Sequence, residues 1–368
     1  MKNILKQIVV LFFLYSLSSS VYAQQLKPGF DAVEYADLLN LEYDSLQTGV
    51  SIQNSSFHSY KLFYQSPEVG LFNKCFLWVR SDDVVVLVIR GTISKTESWL
   101  ENFYSAMIPA KGTLQLNDST QFEYKFAEKD NAYVHVGWTV GLAHLAPFII
   151  SQLNELYKIG MKQVIIFGHS QGGALAYLTR SYLEYLPQNQ LPKDIQYKTY
   201  CSGAPKPGNL YYAYDFDFIT RVGWAFRIVN SADWVPETPL TVQTLNDMNQ
   251  ANPLVNYKES IKDMPWLVRS YLNSAYRKMN NTAEKGVNYY HKYLGHLVYD
   301  QVKKTMPQLK EPQYAPSNAY VPAGNQIVLL TDSEYNARFK FTGKNIFVHH
   351  LFNPYLFLLK KYYFQPNQ

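Results

Sequence analysis

Cysteine is nearly absent from this chain of 368 residues, which holds only Cys75 and Cys201. A scaffold stapled by several disulfides is therefore excluded, and neither cysteine has the spacing of a metal site. Both lie in strand-like runs, "NKCFLWV" and "YKTYCSG", and are expected as buried free thiols. Charge is also scarce, at 17% of residues, with a formal balance of +5. Without Lys2 and Lys6, which fall in a leader, the balance is about +3, too small for the electrostatic footprint of a nucleic-acid binder. No repeat and no low-complexity linker divides the chain, so a second domain is not expected. No apolar run reaches the ~20 residues a bilayer span requires. The first residues, "MKNILKQIVVLFFLYSLSSSVYAQQ", combine two lysines, a short apolar stretch from Ile8 to Leu17 and small residues up to Ala23. That is the pattern of a signal peptide cleaved after Ala23, which leaves residues 24–368 as a secreted or periplasmic product. No cysteine follows the run, which argues against a lipid anchor.

What is present is apolar residue in quantity, 47% of the chain, enough for a large core. Strands are expected at Lys61 to Tyr64, Phe76 to Val79, Val84 to Ile89, Val164 to Phe167, Tyr197 to Cys201, Ala225 to Val229 and Gln326 to Leu330. Helical periodicity lies between several of them, at Val140 to Tyr157, Gly172 to Tyr185 and Leu210 to Thr220. This alternation implies an α/β fold, with a mostly parallel sheet covered by helices and its first strands antiparallel at one edge. A stretch at about 240–286 breaks the rhythm and reads as a helical insertion. There Leu267, Val268, Tyr271, Leu272 and Ala275 share one face, which either packs on the core or borders a binding site and meets lipid. The proline-rich "MPQLKEPQYAPSNAYVPAG" is expected as an irregular surface loop.

One short stretch carries chemistry. In "VIIFGHSQGGALAYL" a buried strand turns at Ser170 into a helix, and Gly168, Gly172 and Gly173 clear the space for that turn. A serine there is exposed to a general base, and the N–H of Gln171, at the helix start, faces a developing oxyanion. Asp233, in "FRIVNSADWVPETP", follows a strand at the sheet edge where such sites gather and is the candidate acid; Asp215 and Asp217 fall within a helix and are weaker. His135 precedes the nucleophile in the chain, His169 adjoins Ser170 on a strand-turn and reads as packing, and His58 and His144 have no motif around them. Four histidines remain for the base: His291, His296, His349 and His350.

Four blocks, "VVLVIRGTISKTESWLENF", "YVHVGW" with "FGHSQGGALA", "CSGAPKPGN" and "RIVNSADWVP", together resemble the class 3 (fungal-type) lipase family of α/β-hydrolases. The resemblance implies Ser170 as nucleophile, Asp233 as triad acid and Thr92 as a further oxyanion donor through its hydroxyl and N–H. Members place the base five residues before a tyrosine, which fits His350 with Tyr355 and not His349. "YYHKYLGHLVYD" is similar to the family's strand block before the base, making His291 and His296 structural. The implied reaction is carboxylic ester hydrolysis through an acyl-enzyme, on acylglycerols or phospholipids, with transient contact to a lipid surface and no metal or cofactor. A polysaccharide or feruloyl-type esterase, or a binding protein on an inactive scaffold, are the alternatives. Two departures stand out. Gln171 occupies a position where leucine is frequent, and no amphipathic lid helix is evident between Trp99 and His135.

Overall fold

The computed structural model describes residues 26–46 and 57–364, so the expected signal peptide lies outside the described residues. Its frame is a seven-stranded sheet in the order β1-β2-β3-β8-β9-β10-β11. Here β1 is Tyr60–Gln65, β2 Cys75–Arg80, β3 Val85–Ile89, β8 Gln163–His169, β9 Gln196–Ser202, β10 Ala225–Asn230 and β11 Asn325–Leu329. The first two pairings are antiparallel and the other four parallel, as the alternating pattern implied. The remaining strands, β4 (Met107–Pro109), β5 (Lys111–Gln115), β6 (Gln121–Lys125) and β7 (Tyr133–His135), form two small antiparallel pairs beside it.

Alternate residues of each strand serve opposite faces. Val85, Leu87 and Ile89 join one core with helices α3 (Val136–Lys158) and α4 (Gln171–Tyr185). Val84, Val86 and Val88 join the other, under α1 (Ala32–Leu46) and the final helix α10 (Phe352–Tyr363). Cys75 and Cys201 are buried as free thiols. By length and composition α3 alone among the described residues could cross a bilayer, contrary to the reading of the sequence, yet it is a core helix with Val140, Leu142, Leu145 and Ile149 fully packed. Helix α2 (Thr96–Phe103), α5 (Leu210–Ile219), the short α6 (Tyr257–Ser260) and α9 (Ser333–Arg338) complete the layers.

The insertion differs from expectation in extent and in packing. Helix α7 (Trp266–Tyr289) does not stop at Gly286 but runs into a π-helical turn, Tyr290–His296, and then α8 (Leu297–Thr305). "YYHKYLGHLVYD" is thus helical, not a strand block: Tyr290, Leu294, Leu297 and Val298 recur at helical spacing. The apolar face of α7 joins none of the core clusters: Leu267, Val268 and Tyr271 are exposed, as is Trp266 at the helix start, and Leu272 and Ala275 are half-buried. The proline-rich stretch is irregular as expected but not superficial. Ala315 and Tyr320 are buried, and the Tyr320 hydroxyl donates to the Ser105 carbonyl at 2.8 Å.

Candidate active site

Strands β3, β8, β10 and β11 are mutually parallel, and the chain leaving each of them carries one of the candidate residues past the same edge of the sheet. Ser170 follows β8 with φ 60° and ψ −129°, a strained conformation for a residue with a side chain. Glycine spacing makes it attainable. A Cβ on Gly172 would lie 2.0 Å from the Ile89 carbonyl oxygen, and one on Gly168 would lie 2.2 Å from the Gly172 carbonyl carbon. Helix α4 therefore starts directly against β3 and β8, with its first N–H groups beside Ser170.

Asp233 sits in the turn after β10 and is 4% exposed. Its Oδ1 accepts from the Val235 N–H at 3.0 Å, and its Oδ2 accepts from His350 Nδ1 at 2.6 Å and from the Tyr355 hydroxyl at 2.7 Å. Burial alone would raise its pKa, but these donors outweigh burial and hold the carboxyl below its ordinary value. The Nδ1 of His350 is therefore the protonated nitrogen. Its Nε2 is buried and has no hydrogen-bond partner among the described residues.

The neighbours of His350 fix its position. His169 donates from Nε2 to the His350 carbonyl at 2.6 Å, its Nδ1 pairs with the Ser202 hydroxyl at 2.9 Å, and the two imidazole rings lie 4.5 Å apart. Burial first, then the nearby His350, lowers the pKa of His169 to about 3, so it stays neutral. His349 turns elsewhere, its Nδ1 on the Tyr335 hydroxyl at 2.9 Å. His291 bonds the Ala315 carbonyl at 2.8 Å and His296 the Glu311 carboxylate at 3.0 Å. His135 is buried, stacks on Trp138 at 3.6 Å and accepts from the Trp138 N–H. Asp215 accepts from the Tyr185 hydroxyl and Asp217 from the Gly324 N–H, which leaves neither beside a histidine of the site.

Thr92 lies just past β3. Its hydroxyl accepts from Asn102 Nδ2 at 2.9 Å and donates to Gln171 Oε1 at 3.2 Å, while Gln171 Nε2 donates to the Ser98 carbonyl at 3.3 Å. The Gln171 side chain is thus buried and bonded rather than a polar wall of the site. With the Thr92 hydroxyl occupied in this resting arrangement, the backbone N–H groups of Thr92 and Gln171 remain, and neither has an acceptor among the described residues. Ser170, Thr92 and Gln171 open into a cavity of about 230 Å³ whose walls include Trp99, Phe103, Trp234, Leu240, Leu294 and Phe347. From the insertion region, Leu240, Tyr290 and Leu294 line it; no residue of Trp266 to Tyr276 does. Helix α2, with Trp99 and Phe103, stands at this mouth, followed by short strands rather than a second helix. The described residues include no group of three or more His, Cys, Asp or Glu side chains arranged to hold a metal ion.

A strained serine between a central parallel strand and a helix, on a sheet of this order, defines an α/β-hydrolase. The family model of class 3 lipases matches residues 86–243, and this match supports a lipase-like carboxylic ester hydrolase. Among solved structures the fold is similar to a triacylglycerol lipase from Penicillium expansum, with 16% identity, 57% of this chain and 75% of that one covered, and a TM-score of 0.43. It is similar also to the Lip2 lipase of Yarrowia lipolytica, with 19% identity, coverage of 58% and 77% and a TM-score of 0.41. Lipase II from Rhizopus niveus gives 20% identity, coverage of 56% and 72% and a TM-score of 0.39. No curated protein sequence matches at a significant level.

Proposed function

We propose that the protein is an exported hydrolase of acylglycerol-type esters that works through Ser170, His350 and Asp233. The observation that supports this reading most is the buried, unpartnered Nε2 of His350, whose other nitrogen is held by a charged Asp233. Such a ring is an imidazole ready to accept one proton and to be stabilised once it has done so. In this reading Ser170 Oγ attacks the ester carbonyl as its proton passes to Nε2. The N–H groups of Thr92 and Gln171 receive the oxyanion, and the alcohol leaves with the proton from His350. Water then repeats the sequence on the acyl-enzyme. The apolar cavity beside Ser170 supports an aliphatic acyl group. Export is supported by the leader pattern of the first 23 residues.

The test is a panel of chromogenic esters of rising acyl length, with a feruloyl ester and triacylglycerol emulsion included, alongside fluorophosphonate labelling. Labelling of one serine and hydrolysis of the aliphatic esters are expected. Preference for the feruloyl ester would move the substrate class, and absence of both labelling and turnover would leave a binding protein.

The exposed apolar face of α7 supports contact with a lipid surface. At 1.5 Å per residue its 24 residues extend about 36 Å, so Trp266 stands far along the helix from Tyr290 at the cavity. Its contribution would be to docking and not to the chemistry. Replacing Trp266, Leu267 and Tyr271 together with serine is expected to lower turnover of emulsified triacylglycerol about tenfold and that of a soluble short-chain ester less than about twofold. Equal losses on both substrates would remove the case for a lipid-facing role.

A further inference from the structure

We propose that Glu42, on α1, is a positioning residue that holds the Thr92 and Ser170 turns at a fixed separation; the proposal rests on the reading of Ser170, Thr92 and Gln171 given above. The ladder between β3 and β8 ends with Ile89 opposite Gly168. Just beyond that rung, an N–H from each segment turns to the same carboxyl group. Gly91 donates to Glu42 Oε1 at 3.3 Å, and His169 donates to Oε2 at 2.9 Å. Glu42 thus extends the pairing of the two strands past its natural end, with one acceptor oxygen for each. Gly91 immediately precedes Thr92, and His169 immediately precedes Ser170. The two turns touch there: a Cβ on Gly91 would lie 2.9 Å from the His169 carbonyl oxygen and 3.6 Å from Ser170 Cβ.

The two oxygens of a carboxyl group can each receive an N–H group, where an amide side chain offers a single acceptor atom. The position of this carboxyl group is otherwise costly. Glu42 is 1% exposed and has no ion-pair partner among the described residues, and burying a carboxyl group without a cation is unfavourable. Burial raises its pKa to about 8, against the opposing pull of the two N–H groups. An apolar residue would serve the core better. What the carboxyl adds is the fixed spacing of oxyanion donors and nucleophile, on which stabilisation of the tetrahedral intermediate depends. Glu42 lies outside residues 86–243, in a helix that packs under the sheet.

The variants E42Q and E42A, in the full chain, test the proposal on a soluble chromogenic ester, with an alkyl boronic acid as mimic of the tetrahedral adduct. In E42Q one oxygen becomes a donor facing an N–H, and kcat is expected to fall about 10- to 100-fold with KM within about twofold. Affinity for the boronic acid should weaken by a similar factor, a change that loss of fold stability alone would not produce. E42A should lose at least as much. A folded E42Q with kcat within about threefold of wild type, a loss carried by KM, or unchanged boronic acid affinity would overturn the assignment. So would failure of both variants to fold, since Glu42 would then serve folding alone. A wild-type protein inert to ester and fluorophosphonate would instead overturn the reading of Ser170, an outcome distinct from an active wild type with an unaffected E42Q.

Discussion

Ser170→Ala is expected to lower kcat for ester hydrolysis by about 10⁴-fold or more while the fold persists. A loss of that size corresponds to roughly 5.5 kcal/mol of transition-state stabilisation, beyond what any single hydrogen bond at the site supplies. The substitution removes only Oγ, which makes no side-chain cap bond to helix α4 and no hydrogen bond to another side chain among the described residues. The strained backbone is held by the glycines and by the Ser170 N–H on the Ser202 carbonyl at 2.9 Å. Circular dichroism and the thermal midpoint should therefore change little. Purified Ser170→Ala with even a tenth of wild-type turnover would exclude Ser170 as nucleophile.

The second large effect is expected at His350. His350→Ala removes the proton acceptor and one of the donors to the Asp233 carboxylate, so kcat should fall by about 10³-fold or more. His349→Ala should leave kcat within about threefold. That ring bonds Tyr335 and not Asp233, and its loss is a matter of roughly 1 kcal/mol of stability. Steady-state kinetics of the two adjacent variants separates the possibilities. Collapse in His349→Ala with normal turnover in His350→Ala would shift the assignment by one residue, and collapse in neither would return it to His291 and His296.

The sequence was legible where local chemistry and global position agree. The β-branched runs Val85 to Ile89 and Val164 to Phe167 can be little other than buried strands, and glycines around Ser170 announce a turn too tight for side chains. What stayed hidden is whatever depends on long-range packing. From Ala32 to Tyr43 helix α1 is buried on most of its surface, so its apolar residues show no clean stripe, and Glu42 within it looks like any solvent-facing helical glutamate. The tyrosine-rich start of the π-helical turn imitates a strand because aromatic residues favour both states. Thr92 was legible as a residue but not in its arrangement. Only the structure shows its hydroxyl tied between Asn102 and Gln171, with the glutamine serving as a buried acceptor where an apolar side chain would have left the hydroxyl free.

Asp233 receives the side-chain donors His350 and Tyr355 from 117 and 122 residues further along the chain. A polypeptide that is made and threaded from its N-terminus can therefore build the sheet through β10 while that carboxylate has only the Val235 N–H for company. A product shortened by a few dozen residues at its end would carry a nearly complete scaffold in which Asp233 lacks both side-chain donors and one face of the sheet lacks its final helix. Such a fragment should be recognised by quality-control proteases, so competence for chemistry and resistance to degradation would be gained in the same final step of synthesis.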